Sequence, residues 1–430
     1  MEYILFAVYL VLFAWIVTRT SFFTKSGLSK PQLVILFFLK VIAGIFYGWM
    51  GHFYGNFAQM VDTWNYHRGG LEEYQLLFNE PHIYLTNLFH NSYNTEGLDS
   101  FFGSKNSYWN DLKANVFIKV LSIFDIFSLG HYYVNVVFYS FLSLFGPMAS
   151  YRVMTHAFPS KKNIILITTF LVPSFLYWSS GLHKEGLIFT AIALIVYHIY
   201  FAKQEGKWRL KRILGVMLGL VTLLLLRNFV LALILPAITG WLIANRWPRY
   251  NLAIYFGIYL TCFVAFFGLR YLSPALDFPK AVVDKQQAFV ALVGNSSIPI
   301  RELEPNLVSF IKCTPQAITL SAARPYPSDV HHLLSLSASV ETNLILLLVL
   351  LFLLFRLKNL TPARNLVYFC VFFSITLLLS IGFSVNNLGA IVRYRSIIIP
   401  LVVTLMAVYT DWARIFRLAG HFKKNNNLNN

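Results

Sequence analysis

Apolar runs recur along this chain from residue 3 to about residue 413, separated by short polar breaks and two longer polar segments. Each run has roughly 15 to 20 residues, so as an α-helix it approaches the roughly 30 Å hydrocarbon core of a bilayer. The pattern predicts helices at residues 3–17, 31–50, 132–150, 163–178, 184–201, 213–226, 229–245, 251–270, 339–355, 365–383 and 396–413. We therefore expect an all-α polytopic membrane protein with about eleven transmembrane helices in one domain over residues 1–420.

Composition supports the lipid bilayer as the main partner of the chain. Of its 430 residues, 57% are hydrophobic and 12% are charged, against roughly 25% charged in a soluble domain. The first run follows Glu2 rather than a basic region and lacks a small-residue cleavage site, so we expect a retained helix. Cys262, Cys313 and Cys370 give no disulfide framework and no metal spacing. The sequence predicts no cofactor, and a divalent metal is compatible with it but unsupported by any ligand spacing.

The basic residues determine the expected sidedness. The net charge is +17, but nucleic-acid binding would need a basic patch on a folded surface. Here the bases lie in short segments between apolar runs, near residues 19–30, 152–162, 203–212, 246–249, 356–364 and 414–424. The positive-inside rule places such segments in the cytoplasm. It therefore predicts a cytoplasmic C-terminus and no nucleic-acid partner.

That sidedness predicts extracytoplasmic loops at residues 52–113 and 271–338, with a shorter one at 384–395. Residues 163–202 and 213–245 have basic flanks at both ends, so each must be a hairpin with its tip outside, at residues 178–185 and at Arg227. Residues 114–130, which include Lys119 and Asp125, are amphipathic and predict an interfacial helix on the outer leaflet. Residues 421–430 are low in complexity and predict a disordered cytoplasmic tail.

The first candidate for chemistry lies in the first large loop. Asp62, Tyr66 and His67 are spaced by four and five residues, so on a helix they would share part of one face just above the membrane. A carboxylate there could act as a general base. An ordinary polar loop with Tyr and Trp as interface anchors accounts for the same spacing.

The second candidate is the first hairpin tip. His183, Lys184 and Glu185 directly precede an apolar helix, and a helix N-terminus with a lysine favours a phosphate or another anion. The alternative is that Lys184 and Glu185 simply pair at the membrane boundary.

Isolated bases outside the cytoplasm form the third group. Arg227, Arg393 and Arg395 lie where the positive-inside rule disfavours them, and an anionic ligand is one reason for their presence. Snorkelling towards lipid headgroups is another. A Pro-rich turn in the second large loop would present Arg324. Lys40, inside an apolar run, should face the bundle interior.

These motifs together resemble a known class of membrane protein. The combination consists of Asp62 in Asp-Thr-Trp-Asn-Tyr-His, Pro173-Ser174 through Trp178-Ser179-Ser180-Gly181, Lys184-Glu185, Arg-Pro-Tyr-Pro at 324–327, and Arg393-Tyr394-Arg395. It resembles polytopic proteins found with bacterial polysaccharide genes, which are similar to GT-C type glycosyltransferases. The resemblance spans most of the chain.

The resemblance implies a GT-C-like fold, a bacterial inner-membrane location and transfer from a polyprenyl-phosphate or polyprenyl-diphosphate sugar to a glycan or lipid-linked acceptor. It implies that Asp62 is the catalytic base. The implied phosphate-binding residues are Lys184, Arg227, Arg393 and Arg395. The implied substrate-orienting residues are Tyr66, His67, His183, Glu185 and Arg324.

Three other functions are compatible with the same residues. A polymerase or ligase of lipid-linked oligosaccharides would use the same basic phosphate site. A flippase or transporter would move a lipid-linked glycan without chemistry, although the chain lacks the inverted repeats that many carriers have. A non-enzymatic subunit of an envelope assembly complex would need no catalytic carboxylate.

Overall fold

The computed structural model describes residues 1–54, 62–91, 93, 101, 107–292, 294–357 and 363–418. Within these ranges the regular structure is helical, apart from isolated bridges between Ser297 and Asn387 and between Arg356 and Thr410. The prediction of an all-α polytopic protein is confirmed. The predicted tail at residues 421–430 lies outside the described residues.

The helices follow the predicted apolar runs closely. The long or span-forming helices are α1 (Glu2–Arg19), α3 (Lys30–Phe53), α7 (Tyr132–Ala157), α8 (Lys162–Phe170), α9 (Pro173–Ser180), α10 (Lys184–Gln204), α11 (Leu210–Leu226), α12 (Asn228–Arg246), α13 (Asn251–Gly268), α16 (Leu333–Leu354), α17 (Arg364–Ser384), α18 (Leu388–Ser396) and α19 (Ile399–Tyr409). The others are α2 (Ser21–Thr24), α4 (Asp62–Asn79), α5 (Pro81–Thr86), α6 (Tyr108–Ser128), α14 (Phe278–Val290) and α15 (Leu307–Ile318). The two large polar segments thus contain helices of their own.

Among the described residues, eight helices are long and apolar enough to cross a membrane, or up to ten if each of two bent pairs forms one span. The α8–α9 pair bends by 55° and the α18–α19 pair by 66°. Helix α11 has 17 residues, or roughly 25 Å of helix, which is short for an ordinary span. The count of eleven spans therefore stays a prediction.

A proline lies at each of the two bends. Helix α8 ends before Val172, whose extended backbone (ψ 120°) precedes Pro173 at the start of α9. Pro400 is the second residue of α19, a position where its missing amide hydrogen removes no bond within the helix. A residue before proline is disfavoured in the α conformation, so a helix tends to end there and a new one to start. The continuous helix predicted at 163–178 is therefore broken, and the predicted outer segment 384–395 is largely helical, as α18.

Helices α7 and α10 form the centre of the bundle, and both are buried on most of their faces. They approach closely at Gly146, where a Cβ atom would lie 2.6 Å from Thr190 Oγ1. Small residues allow such close backbone contact between membrane helices. Helices α1 and α13 have few buried residues and lie at the periphery.

The segments predicted to be cytoplasmic meet at one end of the bundle. Arg152, near the end of α7, donates a 3.1 Å hydrogen bond to the carbonyl of Phe22. The amide of Leu357 donates to the carbonyl of Tyr409 at 2.8 Å. The site described below surrounds the start of α10, roughly 30 Å along that helix from its other end. These contacts join segments that were predicted to lie on the same side, while the division of all segments between two sides of a membrane stays a prediction.

Lys40 lies inside the bundle, as the sequence predicts, and is 2% exposed. Its ammonium donates to the carbonyl of Ser179 at 2.7 Å and to the hydroxyls of Ser179 and Ser180 at 3.0 and 3.3 Å. A cation at a helix C-terminus satisfies carbonyls that have no partner within the helix. Lys40 thus holds the end of α9, directly before the hairpin tip that carries His183.

Candidate functional site: a charged cluster at one end of the bundle

Six ionisable residues from distant parts of the chain meet at the end of the bundle opposite the basic segments. They come from the start of α4, the start of α10, the α11–α12 connection and α18. They are Asp62, His183, Lys184, Glu185, Arg227 and Arg393, and we call them the charged cluster. Asp62 and Arg393 are separated by 331 positions in sequence and are in direct contact.

Asp62 is the exposed carboxylate of the charged cluster. Its Oδ2 atom accepts a 2.7 Å hydrogen bond from Arg393 Nη1, and its side chain is 50% exposed. His183 Nε2 lies 3.6 Å from the same oxygen. The imidazole of His183 and the guanidinium of Arg393 hold the pKa of Asp62 well below its usual range, although partial burial opposes them. Asp62 is therefore ionised and already paired with a cation.

Glu185 is the buried carboxylate, and its side chain is 1% exposed. Its Oε1 atom accepts a 2.8 Å hydrogen bond from Arg227 Nη2 and lies 3.7 Å from Arg393 Nε. Its Oε2 atom contacts His183 Nδ1. Since buried charges require partners, Glu185 is the internal counter-ion that allows two guanidinium groups to lie side by side.

His183 links the two carboxylates. Burial lowers its pKa to about 3, so the ring is neutral and carries one proton. Its Nε2 atom lies 3.6 Å from Asp62 Oδ2 and 3.4 Å from Arg393 Nη1, and its Nδ1 atom contacts Glu185. Both ring nitrogens therefore have partners within the charged cluster.

Aromatic rings flank the cations. Lys184 Nζ lies 5.2 Å from the centre of the Tyr66 ring, and the guanidinium carbon of Arg227 lies 4.5 Å from the centre of the Tyr394 ring. Arg393 lies 5.7 Å from the centre of the Trp178 ring. Cation–π contacts of this kind stabilise a positive charge without neutralising it. The cations therefore remain able to attract an anion.

The hairpin tip is shaped by a close approach at Gly181. A Cβ atom on this residue would lie 2.0 Å from Tyr47 Cδ1, so no larger residue fits without displacing the ring. The amide of His183 donates to the carbonyl of Gly181 at 2.7 Å. This tight turn directs His183 into the cluster and starts α10 at Lys184.

Three sequence-predicted site residues lie elsewhere. His67 packs against the rings of Trp64 and Tyr132, with centroid distances of 5.9 and 5.3 Å, and burial lowers its pKa to about 4. Adjacent helical residues point about 100° apart, so Tyr66 faces the charged cluster whereas His67 faces Tyr132 at the start of α7. In the part of the chain that the structure describes, the hydrogen bonds and ion pairs of Asp62 go to Arg393 and His183 and not to His67.

Arg395 and Arg324 belong to a second polar group. Arg395 donates to the carbonyls of Ser321 and Arg324 at 3.2 and 2.7 Å and also to Thr342 Oγ1. Arg324 pairs with Asp329 at 3.6 Å. Arg393 and Arg395 are two positions apart on α18, so their side chains point in widely different directions. The structure thus brings Arg393, but not Arg395, to the charged cluster.

Several residues at the site were not predicted from the sequence. Trp178 and Tyr394 line it, and Lys113 of α6 and Lys285 of α14 lie close enough for their charges to interact with Arg227. Both lysines lie in the long polar segments, where a single base carries no local signal. Their placement depends on how those segments fold over the bundle.

The predicted interfacial segment is the helix α6, which begins earlier than predicted and packs against α4. Lys119 and Asp125 face inward: Lys119 contacts Glu73, and Asp125 is fully buried. Asp125 Oδ1 accepts a 2.6 Å hydrogen bond from Asn135 Nδ2, while Oδ2 has no partner among the described atoms. Burial raises the pKa of Asp125 to about 6.

Asp125 should make the stability of the protein depend on pH. A carboxyl whose pKa is higher in the folded state binds its proton more tightly there, so stability falls as pH rises through about 4 to 6. We expect Asp125→Asn to raise the melting temperature in detergent at pH 8, with a gain on the order of 1–3 kcal/mol, and to change it little at pH 4. The exposed Asp284→Asn is the control. A gain of equal size at both pH values would contradict this explanation.

Comparisons with known proteins were made for the whole chain: no protein family, no curated protein and no solved structure matches it. Among the described residues, no group of three or more His, Cys, Asp or Glu side chains is placed to hold a metal ion. A functional proposal therefore depends on the geometry of the charged cluster.

Proposed function

We propose that this protein is a membrane glycosyltransferase that takes a sugar from a polyprenyl-phosphate-linked donor at the extracytoplasmic face, in cell-envelope polysaccharide or glycoconjugate assembly. The main support is the 2.7 Å pair between Asp62 and Arg393. It combines a half-exposed carboxylate, which can accept a proton, with a cation that can bind a phosphate. The neighbouring Lys184 and Arg227 add charge of the same sign.

In the proposed reaction, Asp62 removes the proton from an acceptor hydroxyl. The hydroxyl oxygen forms a bond to the anomeric carbon as the bond from that carbon to the phosphate oxygen breaks, with inversion of configuration. The bonding electrons leave with the lipid phosphate. Arg393 and Lys184 stabilise the negative charge that develops there, which is the usual electrostatic contribution to such a transition state.

The Asp62–Arg393 pair adds a coupling between donor binding and catalysis. In the free protein His183 and Arg393 together hold the pKa of Asp62 low, and a carboxylate of low pKa is a weak base. A donor phosphate that binds Arg393 would displace Asp62. The freed carboxylate would lose its counter-ion and become a stronger base at the moment when the donor is in place.

This coupling predicts two different pH profiles. A carboxylate base is active when ionised, so activity falls as pH drops through its pKa. The profile of kcat/KM reports the free protein and that of kcat reports the donor complex. On the acidic side of the two profiles, we therefore expect kcat to fall at a higher pH than kcat/KM does, by about one pH unit or more. Superimposed limbs would show that Asp62 stays paired with Arg393 during turnover.

A reconstitution experiment tests the function itself. Proteoliposomes containing the protein receive a lipid-linked, radiolabelled sugar and a hydroxyl acceptor. We expect label to move from the lipid into a product of different mass, and Arg393→Gln to lower this rate by about 10²–10³-fold. The exposed Arg301→Gln, which removes the same charge elsewhere, should leave the rate unchanged.

The alternatives give different outcomes. A flippase would move the labelled lipid across the bilayer without changing its mass. A polymerase or ligase would transfer label only when the acceptor is itself a glycan or a lipid-linked oligosaccharide. Full activity of Arg393→Gln would contradict the proposal, because the pair that supports it would then be dispensable.

A further inference from the structure

Two lysines extend the positive charge beyond the residues that the proposed transfer needs. Lys113 lies on α6 and Lys285 on α14, and Arg227 lies in the connection between α11 and α12. Burial, together with the charges of Lys285 and Arg227, lowers the pKa of Lys113 to about 8. Burial and the charge of Arg227 also lower the pKa of Lys285. The charge of Arg227 therefore acts on lysines from two other elements.

Contacts connect this group to the charged cluster. Lys285 Nζ lies 5.4 Å from the centre of the Phe289 ring, whose centroid is 6.4 Å from that of Tyr394. Tyr394 in turn packs under both Arg227 and Arg393, at 4.5 and 5.2 Å. The two groups of cations therefore share Tyr394 and adjoin each other.

The charges in this region do not balance. The cations are Lys113, Lys184, Arg227, Lys285 and Arg393, and among the residues that the structure describes the carboxylates paired with them are Asp62 and Glu185. With His183 neutral and all five basic groups protonated, these cations exceed these carboxylates by three charges. A phosphodiester carries a single negative charge, so it would leave most of this excess uncompensated.

Arg227 also has an unused donor. Its side chain is 10% exposed, and one amino group pairs with Glu185. The other, Nη1, is buried without a hydrogen-bond partner among the described atoms. A buried donor without an acceptor is costly, so this atom marks a place where a ligand oxygen would be stabilised.

We propose that Lys113, Arg227 and Lys285 form a second anion subsite, adjoining the one at Arg393 and Lys184, and that the donor is linked to its lipid through a diphosphate. This inference rests on the proposed function. The two subsites adjoin each other through Arg227 and Arg393, which both lie beside the Tyr394 ring and both approach Glu185, and two phosphoryl groups joined through one oxygen would need such adjacent subsites. The second phosphoryl group supplies the additional negative charge and an acceptor for Arg227 Nη1.

Binding of short lipid phosphates to the full-length protein in nanodiscs tests the subsite. The probes are farnesyl phosphate and farnesyl diphosphate, measured by calorimetry at one ionic strength. We expect the diphosphate to bind at least roughly tenfold more tightly, since each charge-assisted pair adds about that much. Lys113→Gln and Lys285→Gln should each remove most of this preference and leave the affinity for farnesyl phosphate nearly unchanged.

Lys280→Gln is the matched control, because Lys280 is an exposed lysine on the same helix as Lys285. It should leave both affinities unchanged. Equal affinity for the two probes, or equal weakening of both by the lysine variants, would overturn the second subsite while leaving the proposed transfer intact. Failure of both probes to bind would contradict the proposed function as well. Diphosphate selectivity that survives both lysine substitutions would also overturn the subsite.

Discussion

Replacing Asp62 by Asn is expected to lower sugar transfer by about 10²–10⁴-fold, the usual contribution of a general base. The amide keeps the size of the side chain and can still contact its neighbours, but it cannot take a proton from the acceptor. Asp62 is half exposed and its partner Arg393 has a second carboxylate nearby, Glu185 at 3.7 Å. The variant should therefore fold normally.

The matched control is Glu72→Gln, which removes an exposed carboxylate from the same helix, α4. We expect it to transfer sugar at the wild-type rate. Thermal melting of both variants establishes that folding is intact. If Asp62→Asn retains wild-type transfer, another group removes the proton or the protein is a non-enzymatic subunit.

The apolar pattern predicted the positions of most helices well. The segment predicted at residues 229–245 is α12, Asn228–Arg246, and that predicted at 365–383 is α17, Arg364–Ser384. Such segments are long, strongly apolar and bounded by charged or polar residues, and the requirement to satisfy every backbone group in lipid leaves the helix as the natural structure. The pattern is therefore most informative where the bilayer decides the structure.

The breaks inside spans were not predicted, although Pro173 is a local signal for the first. Hydropathy is averaged over a window of residues, so a single residue in the extended conformation, such as Val172, does not interrupt the apolar pattern. Helix α18 was missed for a different reason. Because of its arginines, residues 384–395 were predicted to be a loop. In the structure, Arg395 and most of Arg393 are enclosed by protein groups that pair with them.

The candidate site was partly predictable. Sidedness alone grouped Asp62, Lys184, Arg227 and Arg393 on one side of the membrane, and the structure brings them together. Sidedness does not determine which atoms touch, because contacts depend on the rotation of each helix about its axis. For that reason the direct pair between Asp62 and Arg393 and the separate location of His67 emerged only from the structure.

Glu185 determines whether the charged cluster can exist as a buried unit. Arg227 and Arg393 both approach its carboxylate, and without that counter-ion two guanidinium groups would lie side by side in a region of low polarity. Buried ion pairs gain little over apolar residues, but the removal of a single partner leaves an uncompensated charge. The cluster is therefore sensitive to the loss of one buried charge and tolerant of a balanced loss of two.

Glu185→Gln is accordingly expected to destabilise the protein by about 3–5 kcal/mol, seen as a large fall in melting temperature in detergent. The double variant Glu185→Gln with Arg227→Gln removes one charge of each sign and should recover about 1–3 kcal/mol of this loss.

Glu205→Gln is the control at the other end of α10, where its more exposed pair with Arg212 should contribute no more than about 1 kcal/mol. Equal effects of Glu185→Gln and Glu205→Gln would mean that water, rather than Glu185, compensates the two arginines. The cluster would then be open to solvent, and its cations would bind a phosphate far more weakly.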